Sequence, residues 1–185
     1  MKKLLFATLL LCAVSFSAEA QLVRFGVKGG VNFSNFNGGV DGIDYSGRTG
    51  WHAGALVEIG VTENFKIQPE ALFSSQGADV DGVGDFNLDY VSVPVLAKFY
   101  IVTDKLSLDF GPQFSFLVNE SEEAFDDVLD GGSNNSFDFA LAGGLGLDIT
   151  DSFFAQARYT IGLTEVSKDA DVKNAVFQVS LGYKF

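Results

Sequence analysis

Asn174-Ala175-Val176-Phe177-Gln178-Val179-Ser180-Leu181-Gly182-Tyr183-Lys184-Phe185, the last twelve residues, alternate with a period of two. Ala175, Phe177, Val179, Leu181, Tyr183 and Phe185 fall on one side of an extended chain; Asn174, Gln178, Ser180, Gly182 and Lys184 share the other with Val176. Successive side chains of a strand point to opposite faces, so this run reads as a strand between an apolar and a polar environment. It is longer than the about five or six residues usual in soluble sheets and suits a tilted strand crossing a bilayer, which takes about nine to eleven.

Working outward, the same sorting recurs. In Leu106–Val118, Leu106, Leu108, Phe110, Pro112, Phe114, Phe116 and Val118 oppose Ser107, Asp109, Gly111, Gln113, Ser115 and Leu117. In Phe65–Ser75, Phe65, Ile67, Pro69, Ala71 and Phe73 oppose Lys66, Gln68, Glu70, Leu72 and Ser74. Val23–Phe33, Thr49–Ile59, Leu88–Phe99, Phe137–Ile149 and Phe153–Leu163 bring the total to eight such segments, an even number. The connections alternate in length. Ser34–Arg48, Gln76–Asn87, Asn119–Ser136 and Thr164–Lys173 are long, whereas Gly60–Asn64, Ile101–Lys105 and Thr150–Ser152 are short. This pattern predicts an all-β fold, an eight-stranded antiparallel up-and-down transmembrane β-barrel in a cell outer membrane. Its short turns and both termini would be periplasmic and its long loops external. A soluble sandwich has no reason to sort its loops in this way.

The polar faces carry Arg24, Lys28, Lys66, Lys98, Arg158 and Lys184 against Glu58, Glu70, Asp109, Asp138 and Asp148, six against five. Such balance suits the confined interior of a barrel, where a charge taken out of water needs a partner. The apolar faces are almost free of charge, as lipid contact demands; Asp89, at a loop end, is the exception. Trp51, Tyr45, Tyr90, Tyr159 and Tyr183 fall near strand ends, as interfacial girdles require, Tyr159 least well.

The formal net charge of −12 comes almost wholly from the long connections. Glu120, Glu122, Glu123, Asp126, Asp127 and Asp130 lie in one of them, and Asp79, Asp81 and Asp85 in another. An acidic external end repels nucleic acid, which is excluded as a partner, and repels anionic headgroups unless divalent cations intervene.

Residues 1–20 read as a cleaved secretory signal: Lys2 and Lys3, an apolar core Leu4–Val14, and the small-x-small site Ala18-Glu19-Ala20. The barrel domain is then 21–185, with no linker to divide it. The single cysteine, Cys12, falls within the signal and lacks the small residue upstream that lipid modification would need. The remainder has no thiol, which excludes disulfides, cysteine-ligated metals and cysteine nucleophiles.

Three stretches resemble the outer-membrane β-barrel domain family common in Bacteroidota, which includes PorT-like proteins. They are Phe25-Gly26-Val27-Lys28-Gly29-Gly30-Val31-Asn32, the segment Leu88–Phe99 with Tyr90, Pro94 and Lys98 in a Tyr-x-x-x-Pro-x-x-x-Lys spacing, and Phe177–Phe185. The resemblance implies a fold and a location and assigns no activity. The terminal Phe185, with Tyr183 and Leu181 on its face, resembles the signal by which the barrel-assembly machinery selects its clients.

Three further features invite chemistry. His52, the single histidine, lies on a polar face near the external end of its strand and is the one residue around which a serine-histidine-acid relay could form. No motif-flanked serine accompanies it, and an interior histidine bonded to a carboxylate is the simpler reading. Asp79-Val80-Asp81-Gly82-Val83-Gly84-Asp85 offers three carboxylates, but its first glycine arrives two residues early for a calcium loop, so an acidic turn is expected. Gly143-Gly144-Leu145-Gly146 lacks the lysine and helix of a phosphate loop and reads as strand glycine.

No catalytic, cofactor-binding or metal-ligating residue is therefore identified, no cofactor is expected, and the chain is not expected to be an enzyme. The expected role is structural or interactive. Outer-membrane lipids, the assembly machinery during biogenesis and an unidentified protein at the acidic external loops are the partners. Eight strands are too few for a wide pore, which needs about sixteen. The alternative is a periplasmic or outer-membrane barrel that binds or transports a ligand.

Overall fold

The structure, a computed structural model, describes residues 23–37, 45–80, 84–120, 137–164 and 173–185; the predicted signal and most of the acidic loop residues lie outside these. Alternation of apolar and polar side chains builds eight strands: β1 (Val23–Asn37), β2 (Tyr45–Thr62), β3 (Phe65–Val80), β4 (Gly84–Val102), β5 (Leu106–Glu120), β6 (Phe137–Asp148), β7 (Phe153–Gly162) and β8 (Lys173–Lys184). Each pairs antiparallel with its sequence neighbours, and β1 closes on β8 from Gly26↔Lys184 to Asn37↔Lys173, giving a closed barrel. The predicted fold class is the observed one.

The barrel is apolar outside and polar inside. Phe25, Val31, Leu108, Phe116, Leu141 and Leu181 are exposed, whereas Lys28, Glu58, Gln68, Glu70, Lys98 and Arg158 are buried. A soluble protein does not present an apolar surface of this extent, but a barrel in hydrocarbon requires it. Contacting aromatic rings mark two rims. Phe65–Phe99 (4.6 Å), Phe99–Phe110 (5.6 Å) and Phe153–Tyr183 (5.0 Å) lie toward the short turns. Trp51–Phe73 (5.4 Å), Phe114–Phe139 (5.4 Å) and Phe116–Phe137 (5.5 Å) lie toward the other end. Trp51 and Tyr183 thus join the girdles as expected, and Tyr159 is exposed on the outer wall. Tyr90 does not join them: it is 2% exposed and faces the lumen, because its strand neighbours Asp89 and Val91 take the outward positions.

The tall side of the barrel differs from expectation. The connection predicted as Gln76–Asn87 contracts to residues 81–83, because β3 and β4 remain paired up to Val80↔Gly84. Amphipathic alternation ends where lipid ends, but the hydrogen-bonded ladder does not need lipid and continues beyond it. Asp79 and Asp85 consequently stand opposite one another across the hairpin, and Asp81 lies outside the described residues.

All three prolines of the chain sit on adjacent strands, Pro69 on β3, Pro94 on β4 and Pro112 on β5. Each coincides with a break of two residue pairs in the register, separate from the bulges that β2–β3 and β4–β5 carry nearer their ends. Between β2 and β3 the break falls at Val57–Glu58 against Gln68–Pro69; between β3 and β4, at Glu70–Ala71 against Val93–Pro94; between β4 and β5, at Val95–Leu96 against Gly111–Pro112. The reason is that proline has no N–H to donate. The ladders β1–β2, β5–β6, β6–β7, β7–β8 and β1–β8 have no such break.

The inside-out arrangement gives a direct test. Val179→Arg, on the outer wall midway along β8, is expected to destabilise the lipid-folded protein by about 2–4 kcal/mol in a urea titration. A water-facing position would move by no more than about 0.5 kcal/mol, and that result would contradict the membrane orientation.

Candidate functional site

The lumen is where the chain concentrates its polar chemistry. Two carboxylates organise its charge. Glu58, on β2 near the turn end, receives Lys66 Nζ at 3.0 Å on Oε1. Its Oε2 receives Lys184 Nζ at 3.0 Å and Lys98 Nζ at 3.3 Å. Lys184 reaches Asp148 as well, at 2.8 Å. Tyr100, unnoticed in the sequence, closes the group by donating its hydroxyl to Asp148 Oδ2 at 2.8 Å, with Lys66 over its ring at 4.5 Å. Arg24 caps the same end by bonding the Asp151 carbonyl.

Glu70, on β3, forms the middle layer. Lys28 Nζ of β1 lies 2.8 Å from its Oε2 and Arg158 Nη2 of β7 lies 2.6 Å from its Oε1, with both partners' side chains fully buried. Gln68 donates to Glu70 at 2.7 Å and accepts from Lys98 at 3.1 Å, linking the two layers. Gln156 accepts from Lys28 and Arg158, at 2.8 and 2.9 Å, and donates to Asp109 at 2.6 Å. Ions in a space this narrow are tolerable only beside an opposite charge, which Glu70 supplies to Lys28 and Arg158, while Arg158 Nε and Nη1 have no hydrogen-bond partner. The balanced charge seen in the sequence is therefore a set of cross-lumen ties. Those ties link β3 to β7 across the barrel, and β3 to β1, β2 to β4 and β2 to β8 past an intervening strand, so side chains fill the lumen, and the protein is not a wide channel.

The glycines serve this packing. A Cβ on Gly182 would run into the Phe154 ring, and one on Gly146 into Ser107 Oγ and the Asp109 carboxylate. Gly144 likewise leaves room for the backbone of β7, so the Gly143–Gly146 run is strand glycine as expected.

The layer toward the end away from the short turns is uncharged. His52 is 1% exposed and its partners are an amide and a hydroxyl, not the carboxylate expected for an interior histidine. Its Nδ1 lies 2.7 Å from Asn32 Oδ1 and its Nε2 2.7 Å from Ser180 Oγ. Asn32 is oriented by donating Nδ2 to Ser74 Oγ at 3.0 Å and to the Ser75 carbonyl at 2.8 Å. With Oδ1 fixed as an acceptor, His52 carries its proton on Nδ1 and accepts the Ser180 hydroxyl at Nε2. Serine, histidine and amide stand in the order of a nucleophilic relay. A relay works only where substrate reaches the serine, and Ser180, 2% exposed, is sealed between the wall and its neighbours. The layer is a packed network, not an accessible relay. Among the described residues no cluster of three or more His, Cys, Asp or Glu is placed to hold a metal.

Residues 18–168 match the family described as Outer membrane protein beta-barrel domain. Solved structures share the fold at low identity. Neisserial surface protein A has a TM-score of 0.57 at 12% identity, covering 87% of this chain and 97% of its own. Ail, the attachment invasion locus protein of Yersinia pestis, has 0.55 at 16%, covering 89% and 100%. OprG from Pseudomonas aeruginosa has 0.54 at 13%, covering 89% and 96%. No curated protein matches the chain.

The cross-lumen ties predict their own measurement. Glu70→Ala strands Lys28 and Arg158 in the lumen and is expected to cost about 3–5 kcal/mol of unfolding free energy. Combining it with Lys28→Met and Arg158→Met removes the stranded charges and is expected to recover most of that loss in the same titration.

Proposed function

The chain belongs to the outer membrane protein beta-barrel domain family, and on that premise we propose that it is a non-conducting anchor whose external segments bind a partner protein. The observation that carries this reading is the filled lumen. With Glu58 and Glu70 tying six strands together across it, the interior has no room for traffic, and what remains free to act is the outside.

The external segments carry Asp79, Asp81, Asp85 and the Glu120–Asp130 acidic cluster, so the complementary partner presents a basic surface. Ail has been solved in complex with the heparin analogue sucrose octasulfate. A polyanion of that kind has the wrong charge for this chain, which favours a basic protein, with lipopolysaccharide held through divalent cations as the lipid contact. Nucleic acid is disfavoured on the same ground. In this reading residues 1–20 are removed, both termini of the 21–185 barrel face the periplasm, and the Leu181-Tyr183-Phe185 edge presents the chain to the assembly machinery. The likeness to PorT-like barrels of Bacteroidota rests on Tyr90, Pro94 and Lys98, which share the buried inner face of β4. Ligand transport through the lumen, the competing reading, would require the Glu58 and Glu70 ties to open.

The test places one thiol in the otherwise cysteine-free mature chain. Ser133→Cys is expected to react with a membrane-impermeant maleimide on intact cells and, through a short crosslinker, to give one discrete heavier adduct. Raising the salt toward about 1 M, where the Debye length is about 3 Å, is expected to abolish the adduct if charge carries the contact. Labelling only after lysis would overturn the topology, and labelling without an adduct would overturn the partner.

A further inference from the structure

Asp89 is the one charge on the apolar faces of the eight strand segments, and the anchoring role gives it nothing to do. It stands half-buried on β4, directly opposite Ser75 of β3, with Thr49 of β2 on the same rim. One outward step below this polar row lie the indole of Trp51, 53% exposed, and the ring of Phe73, their centroids 5.4 Å apart. A carboxylate at the boundary between hydrocarbon and headgroups meets lipid phosphates, which repel it. No Lys or Arg shares the outward positions of Thr49–Ile59, Phe65–Ser75 and Leu88–Phe99 to offset that repulsion.

The wall is irregular at this point. Between Gly47↔Ala78 and His52↔Ser74, the four residues Arg48–Trp51 of β2 face the three residues Ser75–Gly77 of β3, which makes a bulge. A bulge re-aims the side chains of the strand that carries it, here those of Thr49 and Trp51. Asn32, fully buried on β1, fixes the result by donating Nδ2 to the Trp51 carbonyl at 3.1 Å and to the Ser75 carbonyl at 2.8 Å. The backbones that carry the indole and the Ser75 hydroxyl are thereby pinned to one another, and Ser75 pairs in register with Asp89. An aromatic belt requires neither the bulge nor the acid: Phe114–Phe139 and Phe116–Phe137 stand at the same end on a β5–β6 ladder that has no shift.

We propose that Trp51, Phe73, Ser75 and Asp89 dock the uncharged sugar headgroup of a membrane glycolipid. The indole, an amphipathic ring suited to the membrane interface, takes the C–H face of the sugar. Asp89 accepts hydrogen bonds from the sugar hydroxyls, strengthened by its charge, and the Ser75 hydroxyl donates or accepts beside it. Charge selects the class of ligand, because hydroxyl donors answer a carboxylate whereas a phosphate finds no cation here. The acyl chains of the lipid lie along the apolar wall below and hold the headgroup at the rim, so the ligand is the lipid and not a free sugar. The site requires the barrel to stand in a bilayer. It is independent of what the external segments bind and of which leaflet this rim faces.

Trp51 is the single tryptophan of the chain, so its emission reports on the lipid at this site alone. Residues 21–185 are folded into phosphatidylcholine nanodiscs, and insertion is confirmed by heat-modifiable gel mobility, which separates failure to insert from failure of the site. A lipid brominated near the headgroup end of its acyl chains is included at equal content in each sample: glucosyl diacylglycerol, phosphatidylglycerol or phosphatidylcholine. Bromine quenches the indole on contact. The glucosyl lipid is expected to quench several-fold more strongly than phosphatidylcholine, and phosphatidylglycerol no more strongly. Ser75→Ala with Asp89→Ala is expected to bring the glucosyl lipid down to the level of phosphatidylcholine while leaving quenching by phosphatidylcholine unchanged. Should the double variant fail to insert, Asp89→Ala alone is compared and is expected to lose most of the preference. Equal quenching by the glucosyl lipid and phosphatidylcholine in the parent protein overturns the site. Stronger quenching by phosphatidylglycerol overturns the uncharged headgroup, and a preference that survives the substitutions overturns Ser75 and Asp89 as its cause.

Discussion

Closure of β1 on β8 is the constraint from which the rest follows. In hydrocarbon an unpaired sheet edge is prohibitively costly, so a membrane sheet must meet itself. Once it does, each strand acquires a lipid side and a lumen side, and the period of two in the sequence becomes a difference between solvents. The β1–β8 register from Gly26↔Lys184 to Asn37↔Lys173 joins the first strand to the last across nearly the whole length of the chain. With one cysteine in the chain, no disulfide can form within it, and this ladder and the lipid are what hold the ends together.

Closure at eight strands then dictates the lumen. It is too narrow for bulk water, so every ion that faces inward must find its counterpart on another wall. Glu58 and Glu70 solve this as hubs, each accepting from two or three cations on separate strands. The layer around His52 solves it without charge, through an amide and hydroxyls whose donors and acceptors fit one tautomer. Glycines at 146 and 182 yield their side-chain space to Asp109 and Phe154, which shows the lumen to be packed as closely as a soluble core.

Much of this was legible in the chain because lipid imposes a binary code. The eight segments, their faces and the inward direction of Arg24, Lys28, Lys66, Lys98, Arg158 and Lys184 follow from alternation alone. The code falls silent where lipid does. The β3–β4 hairpin outgrew its predicted length because ladder bonds leave no mark on composition, and Tyr90 was assigned to a girdle because position near a strand end does not fix a face. Tyr100 passed unnoticed since an aromatic ring is ambiguous between the two solvents, and its hydroxyl finds Asp148 only once β4 and β6 are brought together. The partners of Glu58 were equally hidden: Lys184 lies 126 residues away in sequence, so pairing across a lumen is a property of closure.

The prolines show how the same rule generates asymmetry. Taken singly, Pro69 and Pro112 fit outward positions and Pro94 an inward one, and nothing in composition links them. Register does, because adjacent strands bring the three into one oblique band across β2–β5. A wall under uniform pressure to satisfy its backbone would spread such defects or lose them. Here they are concentrated in the sector that also holds the lumen's leucines, while the opposite sector, from β5 round to β1, keeps unbroken ladders. The ion pairs that tie Glu70 to Lys28 and Arg158 run from this sector, on β3, to β1 and β7 in the other. Those ties hold β3 from within at the level where its register with β4 is interrupted, at Glu70 itself.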